Sequence, residues 1–279
     1  MNGDTPAKRY SRQWLEALCR RDLHVHTALC NHATGGMDEY VAAALAAGLD
    51  EIGFLAHVEK DIRHRRRSWL EPEQLDLYWT EGRRLQREFH DRIRISLGIE
   101  LGVNPHAVDG LKQLAARHPW DRIGLSYHYL EEPPPRSAEH CNICSARDTA
   151  ASGFTAAELA WLHRHYYAEL RRHIPVFRPA FICHLDVVRR YLPDPPGETD
   201  LQPAVFELLA TMARHGTALE INTSGYAHGG LCPAPWIIRE AARQHLDFVF
   251  CSDSHQPDQV GRWFGQAVED VRQAIGSAD

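Results

Sequence analysis

Asp22-Leu23-His24-Val25-His26 sets two imidazoles two residues apart in a segment that reads as a β-strand. Alternate residues of a strand point to one face, so His24 and His26 project into a common space suited to zinc, iron or manganese. A single pair of this kind would equally be two exposed histidines. Further apolar runs, however, end in the same chemistry. His57 follows the run 52–56, Glu100 follows 93–99, and His128 follows the strand that ends at Tyr127. His184 follows Phe181-Ile182-Cys183, and Asp253 with His255 follows 248–252. Neutral imidazoles and carboxylates are the ligands such ions take. Chance placement of surface or core histidines is a poor account of six strands that end alike.

The elements that must carry these residues alternate along the chain. Strands are expected near 23–26, 51–56, 93–99, 122–127, 180–183, 218–222 and 248–252. Helical patterns cover 38–47, 72–89, 108–117, 156–172, 203–215 and 235–244, with a last helix over 257–275. In the first of them Asp38 is the expected N-cap, Tyr40, Val41, Ala44 and Leu45 form one apolar face, and Gly48 ends it. Strand–helix alternation implies parallel strands and right-handed crossovers. No glycine-rich phosphate loop follows the first strand, so a β/α barrel is favoured over an open nucleotide-binding sheet. In such barrels the C-terminal strand ends converge on the face where chemistry is done. The stretch 131–153, with Pro133, Pro134, Pro135 and then HCNIC, reads as a long loop, and 192–200 as a second. Neither looks like a linker, and no internal repeat is present. One domain over 1–279, its core about 22–275, is expected.

Composition narrows the partners. A formal charge of −6 argues against a general nucleic-acid binder, though bound cations would let a local pocket take a compact anion. Seven cysteines at irregular spacing suggest thiols in a reducing compartment instead of a disulfide framework. No signal-like or membrane-spanning apolar stretch is present, so a cytoplasmic location is expected. The 18 histidines are an excess that needs an explanation; His163, His165 and His173 are expected on helix surfaces. Sequence leaves the oligomeric state open.

From Asp22 to about Gly265 the chain resembles the PHP (polymerase and histidinol phosphatase) family, a distorted seven-stranded β/α barrel with a trinuclear metal site at the C-terminal strand ends. The match implies three divalent or trivalent ions (Zn, Fe or Mn) and nine ligands. His24 and His26 match the opening H-x-H, His32 within CNHATGG the next loop ligand, and His57 in GFLAH the following strand end. Glu100 in GIELG matches the bridging carboxylate. His128 in SYHYL, His184 in CHLD, and Asp253 and His255 in CSDSH complete the set. Within the family the chain looks most like monofunctional histidinol-phosphate phosphatases, through HATGGMDEYVAAALAAGLDEIGF, SLGIELG, CHLDVVRRY, LEINTSG and SDSHQPDQVG. Three features depart from that pattern: Ala56 where relatives carry an acid, Tyr226-Ala227-His228 in place of basic residues, and the 131–153 stretch.

The resemblance implies a phosphatase acting on a small phosphorylated substrate, L-histidinol phosphate first, with a hydroxide on the bound metals attacking phosphorus. Glu100 is expected to bridge two ions, and Asp253 or His255 to pass a proton to the leaving alcohol. Arg189, Arg190 and Asn222 are candidates for substrate contacts, each with a bland alternative as solvated helix charge or turn former. The run Arg63-His64-Arg65-Arg66-Arg67 either overhangs the pocket or is a solvated loop. Cys141 and Cys144 beside His140 suit a plain loop better than a further zinc site. The same ligands would also serve hydrolysis of another ester or diester, or oxidative chemistry with redox-active iron. A non-catalytic descendant of the fold would be expected to have lost ligands.

Overall fold

The computed structural model describes residues 9–131, 139–192 and 201–276. Its strands are β1 (Arg21–Val25), β2 (Glu51–Val58), β3 (Arg94–Gly102), β4 (Arg122–Ser126), the short β5 (Tyr129–Leu130) and β6 (Cys141–Asn142), β7 (Phe181–Ile182), β8 (Ala218–Asn222) and β9 (Phe248–Cys251). All but β5 and β6 join one parallel sheet in the order β1-β2-β3-β4-β7-β8-β9. Each barrel strand pairs with its successor, with no reversal of order. The two edges meet where Val25 bridges Ser254 in parallel, and the His26 N–H donates to the Ser254 carbonyl at 2.9 Å. The result is a nearly closed seven-stranded β/α barrel, as the strand–helix alternation implied.

The seam is held by a carboxylate. Asp22 accepts from the Ser252 and Gly261 N–H groups, each at 2.9 Å, and from the Ser252 hydroxyl. Burial raises its pKa to about 6 in spite of those hydrogen bonds.

Helices α1 (Arg12–Leu18), α2 (Met37–Ala46), α3 (Pro72–Glu88), α4 (Val108–Ala115), α5 (Ala146–Ser152), α6 (Ala156–Phe177), α7 (Gln202–His215), α8 (Pro235–Arg243) and α9 (Phe264–Ile275) accompany the strands. β2 is buried at all eight positions, because a parallel strand packs helices on one face and the barrel interior on the other. Leu23, Leu55, Phe181, Cys183, Ala218 and Cys251 form a small apolar cluster from strands that are not all sheet neighbours, so it fills the barrel beneath the site. Each large side chain buried there contributes about 1.5–3 kcal/mol. The main cluster lies between the strands and the outer helices. Among the described residues no helix is long and apolar enough to cross a membrane.

Several expectations need correction. Gly36, not Asp38, caps α2, with its N–H donating to the Glu39 carboxylate at 2.6 Å. The last helix starts at Phe264, because Trp263 takes a left-handed φ of 60° that breaks the run from Pro257. The stretch expected to be a plain loop contains β6, antiparallel to β5, and α5. Its Pro133, Pro134 and Pro135 lie outside the described residues, as does 193–200 of the second loop. His163 and His173 are buried on the inner face of α6 instead of solvated, and His165 is half-buried.

Candidate metal centre

Glu100 is the geometric centre of the site. It stands near the C-terminal end of β3, fully buried, in register with His57 on β2. Its Oε1 faces His184 Nε2 at 2.8 Å and His128 Nε2 at 3.1 Å. Its Oε2 faces His57 Nδ1 at 3.0 Å, His24 Nε2 at 3.3 Å and His26 Nε2 at 3.6 Å. One carboxylate thus divides two sets of imidazole nitrogens between its two oxygens.

The other ligand candidates surround these. Asp253 Oδ1 lies 3.1 Å from His26 Nε2 and 3.8 Å from His24 Nε2. His32 and His255 face each other Nε2 to Nε2 at 2.8 Å, and the His255 ring lies 4.4 Å from that of His26. Their far nitrogens are held by main-chain carbonyls: His32 Nδ1 by Cys30 at 2.7 Å and His255 Nδ1 by Asp253 at 2.9 Å. His184 and Asp253 take left-handed φ values of 29° and 50°. Such strain at non-glycine residues persists only where the surroundings enforce it, here at two strand ends that turn a side chain into the site. The structure therefore brings together His24, His26, His32, His57, Glu100, His128, His184, Asp253 and His255.

Electrostatics suit cations. Burial alone would raise the Glu100 carboxyl, but His57, His128 and His24 hold it well below the usual range. Asp253 is held down likewise against burial, chiefly by the hydrogen bond from His26. Burial, with neighbouring imidazoles, keeps His26 well below its usual pKa and His57 at about 3 despite Glu100. His32 is lowered by burial too. Ionised carboxylates beside neutral imidazoles are the protonation states in which both bind metal. Glu100 Oε2 is buried and makes no hydrogen bond, although imidazole nitrogens surround it. Left so, it would cost free energy, and a cation between these groups satisfies it. The triads His26–His57–His255, His24–His26–Glu100 and Glu100–His128–His184 each gather donor atoms within 4.8 Å of one another. The donor set fits metal ions.

Sequence reasoning missed the carboxylates that orient the imidazoles. Glu59 Oε1 lies 2.9 Å from His128 Nδ1, and Glu220 Oε1 lies 2.7 Å from His24 Nδ1. Glu220 also accepts the His184 backbone N–H. These pairs fix which nitrogen faces the site and keep the ring basic. Burial opposes charge on both rings, yet Glu220 and Glu100 hold His24, and Glu100 and Glu59 hold His128, well above the usual value. The available signals were Glu220 inside the apolar strand ALEIN and Glu59 two residues beyond His57.

Above the cluster opens a cavity of about 660 Å³ whose wall includes His57, His128, His184, Asp253 and Arg190. Arg190 reaches it with Nη2 at 3.3 Å from Ser224 Oγ. Arg189 does not line it and pairs with Asp186 at 3.6 Å. Asn222 is fully buried behind the cluster: its Nδ2 donates to Glu220 at 3.1 Å and Asp253 at 3.3 Å, and its Oδ1 accepts the Ser224 N–H at 3.0 Å. A substrate contact expected of Asn222 is thus replaced by a supporting one. The run 63–67 does overhang the pocket, with His64, Arg65, Arg66 and Arg67 on its wall. Cys144 lines the cavity as well, but among the described residues no triad of metal donors includes it or Cys141.

Comparison with known proteins agrees with this geometry. The PHP domain model matches residues 22–224. A probable histidinol-phosphatase of Deinococcus radiodurans is 32% identical over 94% of this chain and 95% of its own length. The histidinol-phosphatase of Bacillus subtilis is 25% identical over 87% and 96%. A solved putative histidinol phosphatase of Listeria monocytogenes shares the fold with TM-score 0.74 at 20% identity, covering 88% of this chain and 99% of that one. The Lactococcus lactis histidinol phosphate phosphatase, solved with zinc, L-histidinol and phosphate, superposes with TM-score 0.71 at 22% identity over 92% of both chains. With a family match across most of its length and that family's barrel around a buried His/Glu/Asp cluster, the chain belongs to the PHP domain family.

Proposed function

We propose that the chain is a metal-dependent phosphatase that hydrolyses L-histidinol phosphate to L-histidinol and phosphate, as one domain with its core at about 22–275. The observation that carries this reading is Glu100, whose two oxygens face separate imidazole sets. Three ions of zinc, iron or manganese would be held by the nine gathered side chains, with Glu100 shared between two of them. Bound there, such ions lower the pKa of water and neutralise the phosphoryl oxygens. The names of the Deinococcus and Bacillus relatives support the substrate.

The chain's own groups do the rest. Arg190, half-buried on the pocket wall, presents a guanidinium to the phosphate. Asp253 is kept ionised, which suits it to hold cations. His255, with 30% of its side chain exposed at the mouth, has Nδ1 committed to the Asp253 carbonyl and Nε2 turned to the cluster. As an ion ligand it leaves protonation of the departing alkoxide to water at the open mouth. Glu59 and Glu220 fix the orientation of His128 and His24.

The test is metal analysis of the purified protein followed by a panel of histidinol phosphate, sugar phosphates, nucleotides and diesters. Phosphate release strongly favouring histidinol phosphate is the expected result. Equal rates across the monoesters would replace this substrate with a broader class. Inactivity on all of them with metals bound would overturn the hydrolytic reading.

A further inference from the structure

The pocket wall sorts charge by depth. Arg65, Arg66, Arg67 and Arg147 are exposed at its rim, where they draw anions toward the site. The charged side chains deeper in the wall, beyond the metal donors, are Arg190 and Asp148. Among the described residues, Asp148 is the one carboxylate on this wall outside the proposed ligands. It stands on α5, in the stretch that departs from the family pattern, with its side chain 13% exposed. It faces His64 Nε2 at 3.1 Å and Arg65 Nη2 at 2.6 Å, and the Arg65 side chain is 47% exposed.

A phosphate ester of a neutral alcohol has no use for a carboxylate here, and an anionic tail would be repelled by it. An ester whose alcohol carries a cation gains from one. The Arg65 side chain is half-exposed and can swing into solvent, so an entering ammonium can take its place on Asp148 while His64 keeps the carboxylate in position. We infer that Asp148 is a specificity-determining residue that receives the positively charged group of the leaving alcohol, while the phosphate end meets the metal cluster and Arg190. This rests on the proposed phosphatase reading and names the charge its substrate must carry.

The experiment compares the metal-loaded protein with Asp148→Asn on L-histidinol phosphate and on glycerol phosphate, whose alcohol is uncharged. The variant is expected to lose about thirtyfold in kcat/KM on the first ester, mainly through KM, and less than about twofold on the second. Calorimetric binding of L-histidinol should weaken in parallel, and binding of inorganic phosphate should not. Arg65→Ala, which breaks the same pair but spares the carboxylate, should keep the preference for the cationic ester. Equal losses on both esters, or Arg65→Ala reproducing Asp148→Asn, would reduce Asp148 to a latch between α5 and the 63–67 loop and overturn the inference. Wild-type protein without preference for histidinol phosphate would instead defeat the substrate reading itself, whatever the variant does.

Discussion

Glu59 rests against the bare Cα of Gly102. A methyl group at residue 102 would overlap both carboxylate oxygens of Glu59, which sits across the strand pair β2–β3. The absence of a side chain in GIELG thus makes room for the carboxylate that aligns His128, so a glycine outside the proposed ligand set governs one of its members.

Gly102→Ala must therefore push Glu59 away from His128. Overpacking of this kind costs about 1–3 kcal/mol of stability. Zinc affinity, measured against a competing chelator, is expected to fall about tenfold although every proposed ligand is intact. Unchanged affinity would mean that Glu59 finds room elsewhere and that its position is immaterial.

Glu59→Gln tests the charge and not the shape. Gln keeps the hydrogen-bonding outline but gives the imidazole a weaker partner, so metal affinity should drop about 10- to 100-fold. Phosphatase activity should fall at limiting metal and recover as zinc or manganese is raised. A loss that excess metal does not restore would point to a distorted pocket instead.

Replacing Glu100 by Gln removes half of the negative charge that the proposed cations share. Metal content per chain and turnover should both decline, the latter about a hundredfold or more. Full activity in this variant would refute the bridging role.

The fourth expectation concerns acid stability of the metal-depleted protein. Burial holds His57 at about 3, against a reference of about 6.5 for an unfolded histidine. Between those values the unfolded chain binds a proton that the fold refuses. Stability from this group is thus complete above 6.5 and drains as pH falls toward 3, at up to about 1.4 kcal/mol per pH unit. His24 and His128 act oppositely: their raised values favour the fold below 6.5, and that contribution is lost as pH rises through their folded pKa. His57→Asn should remove about one proton from the slope of unfolding free energy between about pH 4 and 6. Urea titrations at several pH values measure it, and curves parallel to wild type would contradict the assignment.

Much of this site was legible in one dimension. Parallel strands joined by helices end at a common face, so imidazoles and carboxylates that terminate successive apolar runs must converge there. That rule located His57, Glu100, His128 and His184 without coordinates, and the family pattern added His32 within its loop. It could not say which atoms meet. Strand periodicity gives the face of a residue, not its depth or partner, and Asn222 illustrates the difference: it ends its strand as expected, yet spends its amide on Glu220 and Asp253. Arg189 and Arg190 are neighbours in sequence, but a tight turn sends only the second into the cavity. The stretch 131–153 carried no usable period, so β6, α5 and the placement of Asp148 emerged only from long-range contacts with β5 and the 63–67 loop. The sequence by itself determined which imidazoles and carboxylates end the strands and the barrel that gathers them, because both follow from local pattern. The orienting carboxylates and the pocket wall were decided by tertiary packing, because they depend on pairs of residues whose separation along the chain carries no signal of their contact.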